Sequence, residues 1–401
     1  MRDFYPEDQA FLNFFRETCR RFVEKVGYVE YDASVLEPSE LYKAKGVENE
    51  EIIKDQTYTF IDRGGREVTL RPEMTPTVAR MVAARRRDLG FPLRLYSIPN
   101  VFRYERPQRG RLREHWQLNA DCFGSRSLAA DAEIIGMAYG LMVAFGATER
   151  DFAIKIGDRA YFNALVQKHS LSPEQSKKLF FLLDRRTKIP ESEFKEGLME
   201  LGILQNELSP KEAPANVTKI IEDFRAAGVG NLFYAPEVVR GFNYYTGIVF
   251  EVFDTHPENN RSLFGGGRYD NLTELFDDEP LPGVGFGMGD VTVRDFLAVR
   301  GLLPEYRPPT HLYIAVAGAE LAREAQNLAG EMRRQGVNVA IDFGEKKLGD
   351  QIKTASKHKI PWLLVLGQNE LQTRHFTVRN LETGSEESFS REDLSAFFSN
   401  L

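Results

Sequence analysis

The sequence predicts an α/β protein built in two parts, on three observations. Segments of strand period at 93–98 and 116–123 flank a polar loop with five arginines in eleven residues: Arg103, Arg106, Arg109, Arg111 and Arg113. That is an antiparallel pair joined by a basic loop. Glycine occupies every second position of Gly283-Val284-Gly285-Phe286-Gly287-Met288-Gly289, which describes a strand with one face stripped of side chains. After a proline-rich segment at 303–309, strand and helix patterns alternate to the C-terminus, as in a small α/β domain.

The elements follow in chain order. Residues 6–27 read as a helix, with Phe11, Phe14, Phe15, Phe22, Val23 and Val26 on one face, Pro6 in the first turn and Gly27 as the stop. Strands are expected at 28–31, 57–62 and 67–70, with Arg63-Gly64-Gly65 turning between the last two. Thr75-Pro76 opens a helix to about 87, with Thr75 a good N-cap. A helix is expected near 129–145 and a strand at 152–156. Residues 159–228 are polar and helix-prone and read as an inserted helical module. Strands return at 243–253 and 283–289. Beyond the linker, strands at 312–316, 337–343 and 362–367 alternate with helices at 320–335 and 347–357, and a hairpin and a short helix close the chain.

Composition narrows the class. The 401 residues suffice for two or three domains with real cores. Cys19 and Cys122 are the only cysteines, too few for a disulfide framework or a four-cysteine zinc site, and suited to a reducing cytoplasm. The six histidines show no metal-ligand spacing, and no apolar run approaches membrane-spanning length. The net charge is −7. A nucleic acid would therefore be met by local basic patches, such as Arg85-Arg86-Arg87 or the arginine loop.

Three further segments carry candidate chemistry. An arginine cluster this dense repels itself unless an anion sits among it, and guanidinium forks match phosphate oxygens. Glu73 beside a helix N-terminus is comfortable as an anion and could equally hold a ligand's ammonium group. In Arg240-Gly241-Phe242-Asn243-Tyr244-Tyr245, the glycine permits close backbone approach to a ligand. Adjacent tyrosines on a strand point to opposite faces, so at most one of the two lines a given pocket. Phe264-Gly265-Gly266-Gly267-Arg268-Tyr269-Asp270 lacks the lysine and hydroxyl of a P-loop and reads as tight-turn glycines beside a substrate. The alternating glycines at 283–289 would let a flat ring such as adenine lie directly on the sheet.

Together these segments resemble the histidyl-tRNA synthetases, of the class II aminoacyl-tRNA synthetases. Arg71 to Thr75 looks like the family's Leu-Arg-Pro-Glu-x-Thr segment, Phe102 to Gln117 like motif 2, Arg240 to Tyr245 like the histidine-specific Arg-Gly-Leu-Asp-Tyr-Tyr segment, and Gly283 to Gly289 like motif 3. The resemblance implies a class II catalytic domain at 1–302, an antiparallel sheet flanked by helices with the insertion at about 159–228. It implies a linker at 303–309 and an anticodon-binding domain at 310–401. The implied activity is histidine–tRNA ligation: histidine and ATP give histidyl-adenylate and pyrophosphate, and histidine then passes to the terminal ribose of its tRNA. Magnesium should accompany ATP. A homodimer is implied, with the segment around Val35 to Ser39, including Pro38, where motif 1 would contribute to the interface.

The implied roles are residue-specific. Arg103 would bind the α-phosphate, Glu105 the adenine amino group, and Arg111 and Arg113 the outer phosphates, with Gly287 and Gly289 beneath the nucleotide. Glu73, Thr75, Gln117 and Asp121 would hold histidine, with Tyr244 and Tyr245 near its imidazole. Arg240 would bridge the histidine carboxylate and the α-phosphate. The sequence departs from the pattern at motif 3, where Thr292 stands at the position of the arginine that usually contacts the γ-phosphate. Arg294, two residues on, would point about 200° away on a helix. Loss of one phosphate clamp weakens ATP activation by roughly a few kcal/mol. Asn243 replaces an aspartate, and Asp121 a more common glutamate. The Thr292 change opens an alternative: a non-catalytic paralogue that binds histidine as regulatory subunit of ATP phosphoribosyltransferase.

Overall fold

The computed structural model describes residues 2–43, 56–104, 109–186, 189–208, 212–240, 244–259, 261–276, 279–343 and 346–399. The chain divides into two compact units, Met1–Pro304 and Glu305–Leu401.

The first unit is organised by a mixed, mainly antiparallel sheet. Its strands are β1 (Val29–Glu30), β5 (Leu93–Ser97), β6 (Asn100–Phe102), β7 (Glu114–Phe123), β8 (Phe152–Asp158), β9 (Leu232–Tyr234), β10 (Ile248–Asp254), β11 (Ser262–Tyr269) and β12 (Gly283–Gly289). The spatial order is β1-β5-β7-β12-β11-β10-β8-β9, with β6 also on β7. Only the outermost pairs, β1 with β5 and β8 with β9, run parallel. A separate small sheet orders β2 (Leu36–Pro38), β4 (Glu67–Leu70) and β3 (Tyr58–Ile61).

Helices cover one face of the large sheet. In Pro6–Lys25 the buried residues Phe11, Leu12, Phe15, Cys19 and Val23 fall three and four apart, one apolar stripe. Leu128–Ala144 starts where the Ser127 hydroxyl accepts from the Ala129 amide, and it buries Ile134, Ile135, Ala138 and Leu141. Both helices join the core beneath β7 and β12, where Leu118, Ala120, Val284 and Met288 are almost wholly buried. The segment 159–228 forms helices Arg159–Lys168, Pro173–Arg185, Glu191–Glu200 and Ala215–Ala226, the first three around their own cluster of Phe162, Leu179, Phe194 and Leu198.

Three expectations are corrected. The 264–270 glycine run is not a turn but the middle of β11. Side chains at Gly265, Gly266 or Gly267 would run into the backbone of β10 or β12, so these glycines serve close strand packing. The segment before β10 is not strand: β10 begins at Ile248, which leaves Tyr244 and Tyr245 outside it. Thr75 is not the N-cap. It is the first residue of the helix Thr75–Ala84, preceded by Met74, and no side-chain cap is made.

The second unit is a five-stranded sheet in the order β14 (Val339–Ile341), β13 (Leu312–Val316), β15 (Trp362–Leu366), β16 (His375–Asn380) and β17 (Glu386–Ser390). Strand β13 pairs in parallel with β14 and β15. The helices Ala322–Arg334 and Arg391–Ser399 supply Leu328, Met332, Leu394 and Phe398 to one core.

Candidate active site

Strands β7 and β12 pair so that Asp121 stands opposite Gly285, Asn119 opposite Gly287 and Gln117 opposite Gly289. Gln117, Asn119 and Asp121, two residues apart, lie on one face. All three line a cavity of about 1020 Å³, with Gly285, Gly287 and Gly289 also on its wall. A Cβ at Gly285 would run into the Asp121 carboxylate, and one at Gly287 would lie 2.6 Å from the Gln117 amide nitrogen. The glycines therefore make room for the polar side chains of the neighbouring strand.

The cavity has an acidic end. Glu73 and Asp121 are both buried. The Tyr244 hydroxyl donates to Glu73 Oε2 at 3.0 Å, and the Tyr269 hydroxyl to Asp121 Oδ1 at 2.5 Å. Asp121 Oδ2 is buried with no hydrogen-bond partner among the described residues. Burial pushes the Glu73 carboxyl up to about 7, against the pull of Arg103, the Tyr244 hydroxyl and Arg240. Burial likewise raises Asp121 to about 7, with the Tyr269 bond opposing and Glu73 adding to the rise. Two desolvated carboxyls held near neutrality, one with an open lone-pair face, make a receptor for a small cation.

Arginines line the rest. Arg103, Arg109, Arg111, Arg240 and Arg261 all border the cavity. Arg103 is fixed by its Nε donating to the Pro72 carbonyl at 3.0 Å. Arg240 sits in left-handed backbone, φ 55°, and its Nη1 donates to Glu251 Oε1 at 3.1 Å. A non-glycine residue held there costs of order 1 kcal/mol or more, a strain that clusters at ligand sites. His115 is half-buried in the same wall. Burial first, and then Arg103, lowers its pKa to about 3, so it stays neutral.

The structure brings most of the candidate residues to this cavity: Glu73, Thr75, Arg103, Arg111, Gln117, Asp121, Arg240, Tyr244, Tyr245, Gly287 and Gly289. Both tyrosines line it, correcting the expectation of at most one. Their rings lie 4.9 Å apart in irregular backbone, free of strand alternation. Arg113 is not among the lining residues; its guanidinium lies over the Tyr104 ring at 4.4 Å. Glu105 and Asn243 lie outside the described residues. Residue-by-residue reading missed Tyr269, Glu251, His115 and Arg261. Tyr269 was visible only as part of a glycine run, because its partner Asp121 is 148 residues away. Among the described residues no group of three or more His, Cys, Asp or Glu is arranged for a metal ion. No described helix is long and apolar enough to cross a membrane.

Fold and cavity define an α/β protein that sets a buried two-carboxyl pocket beside an arginine-lined chamber on one mainly antiparallel sheet. The family model described as histidyl-tRNA synthetase matches residues 1–196 and 204–291, and that of an anticodon binding domain matches 311–401. A histidine–tRNA ligase of Leptospira biflexa is 40% identical over 411 residues, covering 97% of this chain and 94% of the relative. One from Thermoplasma volcanium is 34% identical, covering 99% and 96%. In fold, the crystal structure of histidyl-tRNA synthetase from Nostoc sp. PCC 7120 superposes with a TM-score of 0.81 at 23% identity, covering 100% of this chain and 97% of that one. The chain belongs to the histidyl-tRNA synthetase family.

Proposed function

We propose that this chain is a histidine–tRNA ligase whose cavity makes histidyl-adenylate. The observation that carries the reading is the pairing of a buried two-carboxylate pocket with an arginine-lined chamber on the same glycine-floored sheet. Full-length likeness to histidine–tRNA ligases supports it. The anticodon-domain match at 311–401 favours it over the regulatory-subunit alternative.

Histidine would place its ammonium and imidazole among Glu73, Asp121, Tyr244, Tyr245 and Tyr269. A polar pocket of this kind selects well, because an analogue without the imidazole nitrogens leaves buried partners unpaired. Thr75 and Gln117 complete the pocket as hydrogen-bonding groups. Adenine would lie over Gly287 and Gly289. Arg103 and Arg240 would hold the α-phosphate, and Arg111 the outer phosphates. The histidine carboxylate oxygen attacks the α-phosphorus, and the bond to the β-phosphate oxygen breaks with its electron pair leaving on pyrophosphate. No base is needed, since the carboxylate is ionised at neutral pH. What the site must supply is fixed positive charge between two anions, and orientation. A terminal ribose hydroxyl of tRNA then attacks the acyl carbon and releases AMP. Magnesium would accompany the nucleotide and neutralise phosphate charge.

We further propose a homodimer. Leu36, within the motif 1 segment, and Phe60 and Ile61, on β3 of the same small sheet, are exposed apolar residues that suit an interface. With Cys19 and Cys122 buried and unpaired, a cytoplasmic setting fits. The testing experiment is histidine-dependent ATP–pyrophosphate exchange, with Arg240→Ala as control. Exchange that needs histidine and disappears in the control supports the ligase. Histidine binding without exchange returns the regulatory reading.

A further inference from the structure

Thr292 occupies the third position of the helix Asp290–Val299, which follows β12 directly. Its hydroxyl donates to the Leu263 carbonyl at 2.8 Å and to the Gly289 carbonyl at 3.2 Å, so the side chain is tied to the start of β11. It borders the cavity but brings no charge. Arg294 does not replace it. Its Nη2 donates to Asp8 Oδ1 at 2.8 Å, and its guanidinium lies 5.5 Å from the Phe11 ring, on the helix Pro6–Lys25.

A different cation stands beside Thr292. Arg261 lies two residues before Leu263 and borders the cavity. Its Nη1 donates to the Arg109 carbonyl at 2.7 Å and its Nη2 to Asp295 Oδ2 at 2.5 Å. Asp295 is three residues after Thr292 and so shares its helix face. The same Asp295 oxygen is 3.9 Å from Arg109 Nε. The Arg261 guanidinium presses on Gly110, where a side chain would collide with it. Its Nε is buried with no hydrogen-bond partner among the described residues. Two arginines thus share one carboxylate, leaving an excess positive charge where the helix carrying Thr292 meets the arginine loop.

We propose that Arg261, aimed by Asp295, binds the outer phosphates of the nucleoside triphosphate and supplies the cation that position 292 lacks. This rests on the adenylate-forming reading above. A guanidinium fork takes two phosphate oxygens at once. Charge builds on the β- and γ-phosphates as the leaving bond breaks, so a cation fixed there helps most in the transition state. The clamp reaches the cavity from the residue just before β11 instead of from the helix after β12, and it is tied to that helix through Asp295 and to the arginine loop through the Arg109 carbonyl.

The test compares wild type, Arg261→Ala, Arg261→Lys and Arg261→Ala with Thr292→Arg. Exchange kinetics give KM for ATP, pyrophosphate and histidine. Calorimetry gives Kd for a non-hydrolysable histidyl-adenylate analogue, which has no outer phosphates. Expected for Arg261→Ala is a loss of about tenfold or more in kcat/KM for ATP and pyrophosphate, with analogue and histidine affinity unchanged. Arg261→Lys should fall between, and Thr292→Arg should restore part of the loss. Unchanged nucleotide kinetics in Arg261→Ala would overturn the proposal. So would equal weakening of ATP and the analogue, which would make Arg261 a support for the loop. If the wild type shows no exchange at all, the ligase reading fails separately, and ATP binding to wild type and Arg261→Ala, compared by calorimetry, still decides the clamp.

Discussion

Tyr244 and Tyr269 meet edge to face, with ring centroids 5.9 Å apart at 79°, and each hydroxyl is committed to a different buried carboxylate. Burial raises both phenols well above their ordinary range, so both stay protonated and both donate. The pair fixes the spacing between Glu73 and Asp121.

The first prediction concerns pH. Glu73 and Asp121 are raised in the fold to about 7, from ordinary values near 4 in an unfolded chain. The fold therefore takes up protons between about pH 4 and 7, and the ligand-free protein loses stability as pH rises through that window. The loss is complete once the pH is above about 7. Asp121→Asn should raise the ligand-free melting temperature at pH 8, flatten its pH dependence and abolish histidine binding. Because a cationic ligand favours the ionised carboxyls, histidine binding at pH 7 should release protons. Calorimetry in two buffers of different ionisation enthalpy reads the number directly, and zero release would sink the assignment.

Arg240→Ala should reduce the exchange rate by about a hundredfold or more, as for removal of one preorganised charge donor. The folded state should be little affected. Alanine keeps the Cβ and with it the left-handed backbone strain, whereas Arg240→Gly should raise the melting temperature above that of Arg240→Ala. A melting temperature for Arg240→Gly no higher than for Arg240→Ala would remove the strain argument.

Two glycine substitutions should behave oppositely. Gly285→Ala pushes against the Asp121 carboxylate and lies 2.6 Å from the Ala120 carbonyl, so histidine affinity should collapse. At Gly289 a Cβ meets nothing nearer than His115 Cδ2 at 3.6 Å. Gly289→Ala should fold and bind histidine normally, and a titration of both variants settles the contrast.

Beneath the glycines, Arg268 pairs with Asp131 through Nε to Oδ1 at 2.9 Å and Nη2 to Oδ2 at 2.5 Å, both residues buried. Asp131→Ala leaves the buried Arg268 guanidinium with Asp270 alone, 3.2 Å from its Nη1, and should cost about 3 kcal/mol in urea unfolding. Replacing Arg268 and Asp131 together with apolar residues should cost less, since the Asp270 then left without Arg268 is partly exposed.

What the sequence made legible was local. The alternate glycines of β12 fixed that strand at both ends, 283 to 289, because their period is written in adjacent residues. The apolar stripe of Pro6–Lys25 and the strand β13 were equally readable. Tyr244-Tyr245 was misread because nothing local distinguishes an irregular lead-in from the strand it enters. The glycines of β11 were misread as a turn because their cause is the backbone of strands β10 and β12, distant in sequence. Thr75 looked like a cap because Thr-Pro is a good helix start. The helix begins one residue earlier than that reading needs, and Thr75 borders the cavity instead. Arg261 carries no local signal at all; its meaning comes from Gly110 and Asp295.

Strand β7 sends Gln117, Asn119 and Asp121 into the cavity, while the alternate residues Leu118, Ala120 and Cys122 fill the core. A slip of one residue against β12 would bury the three polar side chains and set the apolar ones in the ligand's place. Recognition and folding thus depend on a single alignment of two strands.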